Sequence, residues 1–322
     1  MFKTKVEIPL QPLIDYSSSY LFLGSCFSEH LSHKMIQSGF SVQANPFGVV
    51  FNPISLAEIL LESDETLKSS VFERDGVALS WLANSTCFAY DQAVLKTKLV
   101  EIRREYLRAL SKAKILFVTL GTAWIYERSF TNEIVANCHK AKKNSFNKRL
   151  LSVDEITEMW SKVIENIKSE SDVKIIFTVS PVRHTKDGVV ENSRSKAVLL
   201  NAVHQLNGQY TNVDYFPAYE IMIDEMRDYA YYSKDGVHPN AIAVDEIWNR
   251  FKSTYFSIEA EKVFKEYEKI RMLFEHRHLH PESEAAKQFE IEREMKLVEF
   301  KRRFTLVDCG LLRPRDAISR KA

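Results

Sequence analysis

Short apolar runs alternate along this chain with longer amphipathic stretches, the pattern of β-strands joined by helical crossovers. Four runs, at 20–24, 114–120, 173–179 and 213–216, are rich in β-branched, leucine and aromatic residues and lack polar alternation. Strands of that kind are buried on both faces, which predicts a mostly parallel sheet in an α/β fold. Phe27, Leu31 and Met35 recur every four positions, predicting a helix over 26–38 that Gly39 stops. Residues 92–112, 152–169 and 191–207 read as further crossover helices. Pro239 stands where it would open another, with Ile242, Ile247, Trp248 and Phe251 laid toward the sheet. No internal repeat is visible.

From about residue 257 the chain becomes charge-rich and helical, with a break at Leu279-His280-Pro281-Glu282-Ser283 and resumption over 284–304. The expected organisation is an α/β domain over 1–256 and a charged helical extension over 257–322, whose last residues, 313–322, fray. Leu297, Phe300 and Phe304 form a narrow apolar face, so the extension is expected to pack on its own domain or to join two copies as a homo-oligomer. His276, His278 and His280 alternate there. On a helix only the first and last share a face, and no third ligand has suitable spacing, so no metal site is read.

Composition narrows the classes further. With 322 residues, 45% hydrophobic and 27% charged, the chain is long and apolar enough for a substantial core. Its 44 basic and 43 acidic residues give a net charge of +1, so neither nucleic acid nor an anionic membrane is an expected partner. The N-terminus lacks the apolar core of a signal peptide and no run has the length of a membrane span, which predicts a cytoplasmic protein. Cys26, Cys87, Cys138 and Cys309 are scattered without a CxxC pair, which argues against a disulfide framework or a zinc knuckle.

The candidate chemistry lies at two distant places. Gly24-Ser25-Cys26 joins the first strand to the first helix. Ser25 as N-cap would set Cys26 in the first turn, where free N–H groups and the helix dipole favour a thiolate. Asp235-Gly236-Val237-His238-Pro239 sets a carboxylate three residues before an imidazole, an arrangement that holds one tautomer and frees the other nitrogen. Each has a plainer reading alone, as a buried cysteine or an Asp-Gly turn. Together they point to a nucleophile–His–Asp site. The third strand ends in Ser180-Pro181-Val182-Arg183-His184, where sheets of this class bind ligands. Arg183 suits an anion there, with His184 beside it. Asn137-Cys138-His139-Lys140 gathers an amide, a thiol, an imidazole and a cation in one loop.

The segments LGSCF, NPFGVVFNP, LGTAWIYE, VANCHK, FTVSPVRHTKDG and YFPAYEIMIDEMRDYAYYSKDGVHP, in this order, resemble the GSCFA family over roughly residues 5–255. That family is grouped with the SGNH/GDSL hydrolases. The resemblance implies a flavodoxin-like three-layer α/β/α sandwich, with the charged helices as an appendage outside it. It implies that Cys26 occupies the usual nucleophile position, Ser25 replaces an aspartate, and Asp235 and His238 match the final Asp-x-x-His. Gly48 looks like the second-block glycine whose N–H helps form an oxyanion hole. The third-block asparagine is missing at Gly121-Thr122, leaving Thr122, Asn45 or Asn137 as substitutes. The implied activity is that of an esterase or acyltransferase on an O-acylated sugar or small polar metabolite. His238 is its base and Cys26 or Ser25 its nucleophile, with Asn45, His139, Arg183 and His184 as substrate contacts and no metal or organic cofactor. The alternative is a non-catalytic ligand-binding protein on the same fold.

Overall fold

The apolar runs form the strands that their lack of alternation predicts. The computed structural model describes residues 4–312, so the fraying expected at 313–322 lies outside the described residues. The strands are β1 (Ser19–Gly24), β2 (Ser41–Ala44), β3 (Val71–Arg74), β4 (Val77–Ser80), β5 (Ile115–Leu120), β6 (Trp124–Arg128), β7 (Phe146–Leu150), β8 (Lys174–Val179) and β9 (Val213–Tyr215). The helices are α1 (Cys26–Gln37), α2 (Pro53–Leu61), α3 (Asp64–Ser69), α4 (Gln92–Leu110), α5 (Val153–Glu170), α6 (Val189–Gln209), α7 (Ala218–Glu220), α8 (Ala241–Tyr255), α9 (Ile258–Glu275) and α10 (Glu284–Arg303).

Five strands make the central sheet in the order β2-β1-β5-β8-β9, and the β1–β5, β5–β8 and β8–β9 pairs are parallel. Helices flank it. Numbered within the sheet this is the order 2-1-3-4-5 of flavodoxin-like folds, which reverses between β1 and β5 and leaves a crevice at their carboxyl ends. Every residue of β5 is buried. Trp160 of α5 is fully buried with its ring edge-on to Phe177 of β8 at 4.9 Å, and its indole N–H donates to Pro53 O at 3.0 Å. One side chain thereby ties α5, the sheet and the start of α2.

The pattern reading did not anticipate β2, the hairpins β3–β4 and β6–β7, or α2 and α3. In β2, four residues with alternating partial burial carry no buried run to detect. The β3–β4 hairpin did carry a signal: Asp75 and Gly76 form its turn at φ 52° and 75°, the positive values that an Asp-Gly pair tolerates. Pro239 does not open α8. Asn240 does, its Oδ1 accepting from Ala243 N–H at 3.0 Å.

The chain divides into two compact units, one of Met1–Ile8, Tyr20–Ser32 and Gln43–Asn249, the other of Pro9–Ser19, His33–Val42 and Arg250–Ala322. The second takes in two N-terminal segments besides Arg250–Ala322, of which the charge pattern carried no sign. Its core joins Tyr267, Ile270 and Phe274 of α9 to Leu297 and Phe300 of α10, so the α10 face expected to seek cover finds it within this unit. His276 and His278 pack their rings against each other and against Phe289. Among the described residues no helix is long and apolar enough to cross a membrane.

Candidate active site

β1 passes into α1 with hardly a loop, and Gly24 makes this possible. Its φ is +143°, and a Cβ there would lie 2.3 Å from Thr119 O on β5. Ser25 N–H donates to the same oxygen at 3.1 Å, and Ser28 N–H donates to Ser25 O at 2.8 Å. Cys26 is the first residue of α1 and is half-buried. Ser25 is fully buried, and its Oγ has no hydrogen-bond partner, so the expected side-chain cap is not formed. Ser25→Ala is therefore expected to change stability by no more than ~0.5 kcal/mol, where loss of a working cap would remove about 1 kcal/mol. Denaturant unfolding of the variant checks this.

The helix terminus alone does not make Cys26 a thiolate. Burial pushes its thiol above the usual range and Glu29, one turn along, adds to the rise. The N–H groups of Cys26 and Phe27 and the ammonium of Lys196 act in the opposite direction.

The downstream pair forms as its spacing implied. Asp235 Oδ1 accepts from the N–H groups of Val237 and His238 at 2.8 and 3.0 Å, and Oδ2 lies 2.7 Å from His238 Nδ1. The bonds from Val237 N–H and from the imidazole hold the Asp235 carboxyl down to about 2, so it is ionised throughout the neutral range. Among the described residues nothing bonds His238 Nε2. Val237 O accepts from Arg183 N–H at 3.1 Å, and Gly236 O accepts from the Arg183 guanidinium at 3.3 Å. Arg183 follows β8, so these bonds bring the loop to the carboxyl end of the sheet, where Cys26 follows β1. No hydrogen bond joins Cys26 to His238.

Of the expected oxyanion groups, two are already engaged. Gly48 N–H donates to Asn45 O at 2.8 Å, closing a turn for which its φ of +73° suits glycine. Thr122 N–H donates to Phe51 O, and Thr122 Oγ1 accepts from Trp124 N–H and shares a 3.0 Å bond with Ser195 Oγ. The backbone N–H groups of Gly48 and Thr122 are therefore not free to donate to a substrate. Asn45 differs: its Oδ1 accepts from Gly24 N–H at 2.9 Å, beside the β1–α1 elbow, while its Nδ2 is shielded from solvent and has no partner.

The remaining expected residues separate. His139 is 5% exposed and held by Ser80 O at Nε2 and Ser85 Oγ at Nδ1, with Phe72 and Trp81 around it, so it is built into the β3–β4 region. Asn137 binds His139 N–H and lines a cavity of about 330 Å3 with Phe51, Thr122, Trp124 and His184. Arg183 lines another of about 290 Å3 with Asn192, Tyr219, Met222, Tyr229 and Tyr232. Its guanidinium lies over the rings of Tyr229 and Tyr232 at 5.8 and 5.6 Å. His184 takes Asn192 Oδ1 on its backbone N–H, and burial lowers its imidazole to about 4, so it is neutral with Nε2 unpaired.

Sequence reading missed Lys196. It lies on α6, 1% exposed, with its Nζ donating to Gly121 O and Ser180 O at 2.7 Å each. A signal was present, since Lys196 falls on the same helical stripe as Leu199 and Val203, where an apolar residue is expected.

The GSCFA family model matches residues 19–251, a span that contains Cys26, Asn45, Lys196, Asp235 and His238. The chain belongs to the GSCFA family. No curated protein matches the chain. Among solved structures, a family 3 carbohydrate esterase of Clostridium thermocellum is similar at a TM-score of 0.33 and 10% identity, over 77% of this GSCFA chain and 97% of that one.

Proposed function

We propose that the protein is a hydrolase acting on ester bonds, with Cys26 as nucleophile, His238 as base and Asp235 orienting the imidazole. The observation that carries this reading is the ionised Asp235 held 2.7 Å from His238 Nδ1, which leaves Nε2 as the proton acceptor. Half-buried Cys26 fits the nucleophile role better than Ser25, whose hydroxyl is sealed from solvent. In acylation Cys26 Sγ bonds to the acyl carbon and the ester C–O bond breaks, the thiol proton passing through His238 to the leaving oxygen. Water then adds to the thioester, giving a proton to His238, and the thiol is restored. An alcohol in place of that water makes the same chemistry a transfer.

Asn45 Nδ2 is the oxyanion donor best supported by its surroundings, because it is shielded, unpaired and fixed through its other atom to Gly24. For the substrate, the tyrosine-lined cavity around Arg183 supports a small polar molecule such as an O-acylated sugar, with flat rings to stack on and a guanidinium to bind an oxygen. Tyr219 of that cavity has its ring 5.7 Å from Lys196 Nζ, which holds the carbonyls of Gly121 and Ser180 that follow β5 and β8.

Brief exposure to p-nitrophenyl acetate, acid quench and peptide mapping tests the reading. An acetyl group on Cys26 that His238→Ala removes is the expected result. The missing bond between Cys26 and His238 favours a second reading, a ligand-binding protein without chemistry. That reading gains if Cys26 carries no adduct while a sugar ester raises the melting temperature equally in wild type and Cys26→Ala.

A further inference from the structure

We propose that the alcohol part of the ester is a single acidic sugar, a monosaccharide bearing a carboxylate or a phosphate, whose charge is taken by Arg183 and Arg227. The proposal deepens the hydrolase reading and rests on it. The cavity that Arg183 lines is tied to the loop carrying the base. Arg183 donates from its backbone N–H to Val237 O at 3.1 Å and from its guanidinium to Gly236 O at 3.3 Å. Tyr232, which also lines the cavity, pairs with Pro239 in a β-bridge, and Ser233 N–H donates to His238 O at 2.7 Å. His238 returns its proton to the leaving oxygen, so the alcohol belongs on the side of His238, where this cavity is. Its volume, about 290 Å3, lies at the small end of ligand sites and suits one sugar ring better than a chain of them.

The lining is rich in donors and poor in negative charge. Arg183 and Arg227 line the same cavity, and among the described residues neither has an ion pair. Asp228 is the one carboxylate among the lining residues, and its Oδ1 is taken by Ala230 N–H at 2.8 Å. Asn192 is 7% exposed; its Oδ1 accepts from His184 N–H at 2.8 Å, and among the described residues nothing bonds its Nδ2. The hydroxyls of Tyr219, Tyr229 and Tyr232 likewise have no partner among the described residues. Two cations lining one small cavity repel each other unless an anion joins them, and a guanidinium fork fits a carboxylate or phosphate in two-point contacts. Arg183 has structural work as well, with its guanidinium over the rings of Tyr229 and Tyr232, yet its bond to Gly236 O uses one of its five N–H groups. Arg227 is exposed, with no hydrogen bond, ion pair or ring contact among the described residues, so all its donors remain for a ligand. Tyr229, 73% exposed, offers ring surface to the apolar face of the sugar.

Calorimetric titration of the full chain with glucuronate, glucose-6-phosphate and glucose tests this without any turnover. We expect one of the two anions to bind wild type about tenfold or more tighter than glucose, and the tighter of the two tells carboxylate from phosphate. Arg227→Gln, a change at an exposed position, should remove most of that advantage, and added salt should weaken the anion but not glucose. Glucose binding as tightly as both anions overturns the proposal, as does failure of both anions to bind. An advantage that folded Arg227→Gln leaves intact overturns it too. The comparison in wild type decides the matter even where the variant fails to fold. An acidic sugar bound by a protein whose Cys26 is never acetylated would fault the hydrolase reading and leave the sugar site standing. An acetylated Cys26 in a protein with no preference for the anions would fault this proposal alone.

Discussion

Cys26→Ala is expected to lower ester turnover by about a thousandfold or more and to abolish acetylation of the peptide that carries it, while the fold stays intact. Cys26 is half-buried at the start of α1, at the point where the strand order reverses, so its side chain is available to a ligand in the crevice. Its truncation to alanine removes one sulfur atom and with it only the interactions of Sγ with the N–H groups of Cys26 and Phe27. A loss of activity without loss of melting temperature therefore reports on chemistry. Ser25→Ala is the matched control, since the Ser25 hydroxyl is buried, unpaired and cannot reach a substrate without movement of the elbow. Should Cys26→Ala retain wild-type kcat/KM on a turned-over ester, the nucleophile assignment fails. Should Ser25→Ala be the inactive one, the elbow must open in solution to expose it.

Gly24→Ala should be the most damaging small substitution at this site, destabilising by about 3 kcal/mol or more. The added Cβ would lie 2.3 Å from Thr119 O, 2.8 Å from Thr119 N and 2.9 Å from Thr119 C, all backbone atoms of the central strand β5. None of them is the end of a flexible side chain that can swing aside. The φ of +143° adds strain for any residue with a Cβ. Relief requires β1 to move from β5, which breaks the bond from Ser25 N–H to Thr119 O and displaces Cys26, the next residue. Urea unfolding measures the stability, and Cys26 alkylation at pH 7 reports whether the elbow survives. A loss below about 1 kcal/mol would mean that β1 and β5 are not held as closely as described.

The parts of this protein that the sequence determines by itself are those decided over short stretches of chain. Burial on both faces leaves an unbroken apolar run, so β1, β5, β8 and β9 were legible from 20–24, 114–120, 173–179 and 213–216. Asp235 and His238 were legible for the same reason, because their bonds span two or three residues and the spacing alone allows them. Asp75-Gly76 was equally local, and its turn went unread. Tertiary structure decided what depends on chain segments meeting. Thr119 makes Gly24 obligatory, and an otherwise ordinary Asn45 becomes a shielded donor by binding Gly24 N–H across 21 residues. The same holds against expectation for Gly48 and Thr122, whose backbone N–H groups are taken by the carbonyls of Asn45 and Phe51, neighbours that no motif specifies. Lys196 is the extreme case, because one of the two carbonyls it holds, that of Gly121, is 75 residues away. Periodicity constrains which face of an element is buried; which charges then face one another in the interior follows only from the order in which the strands assemble.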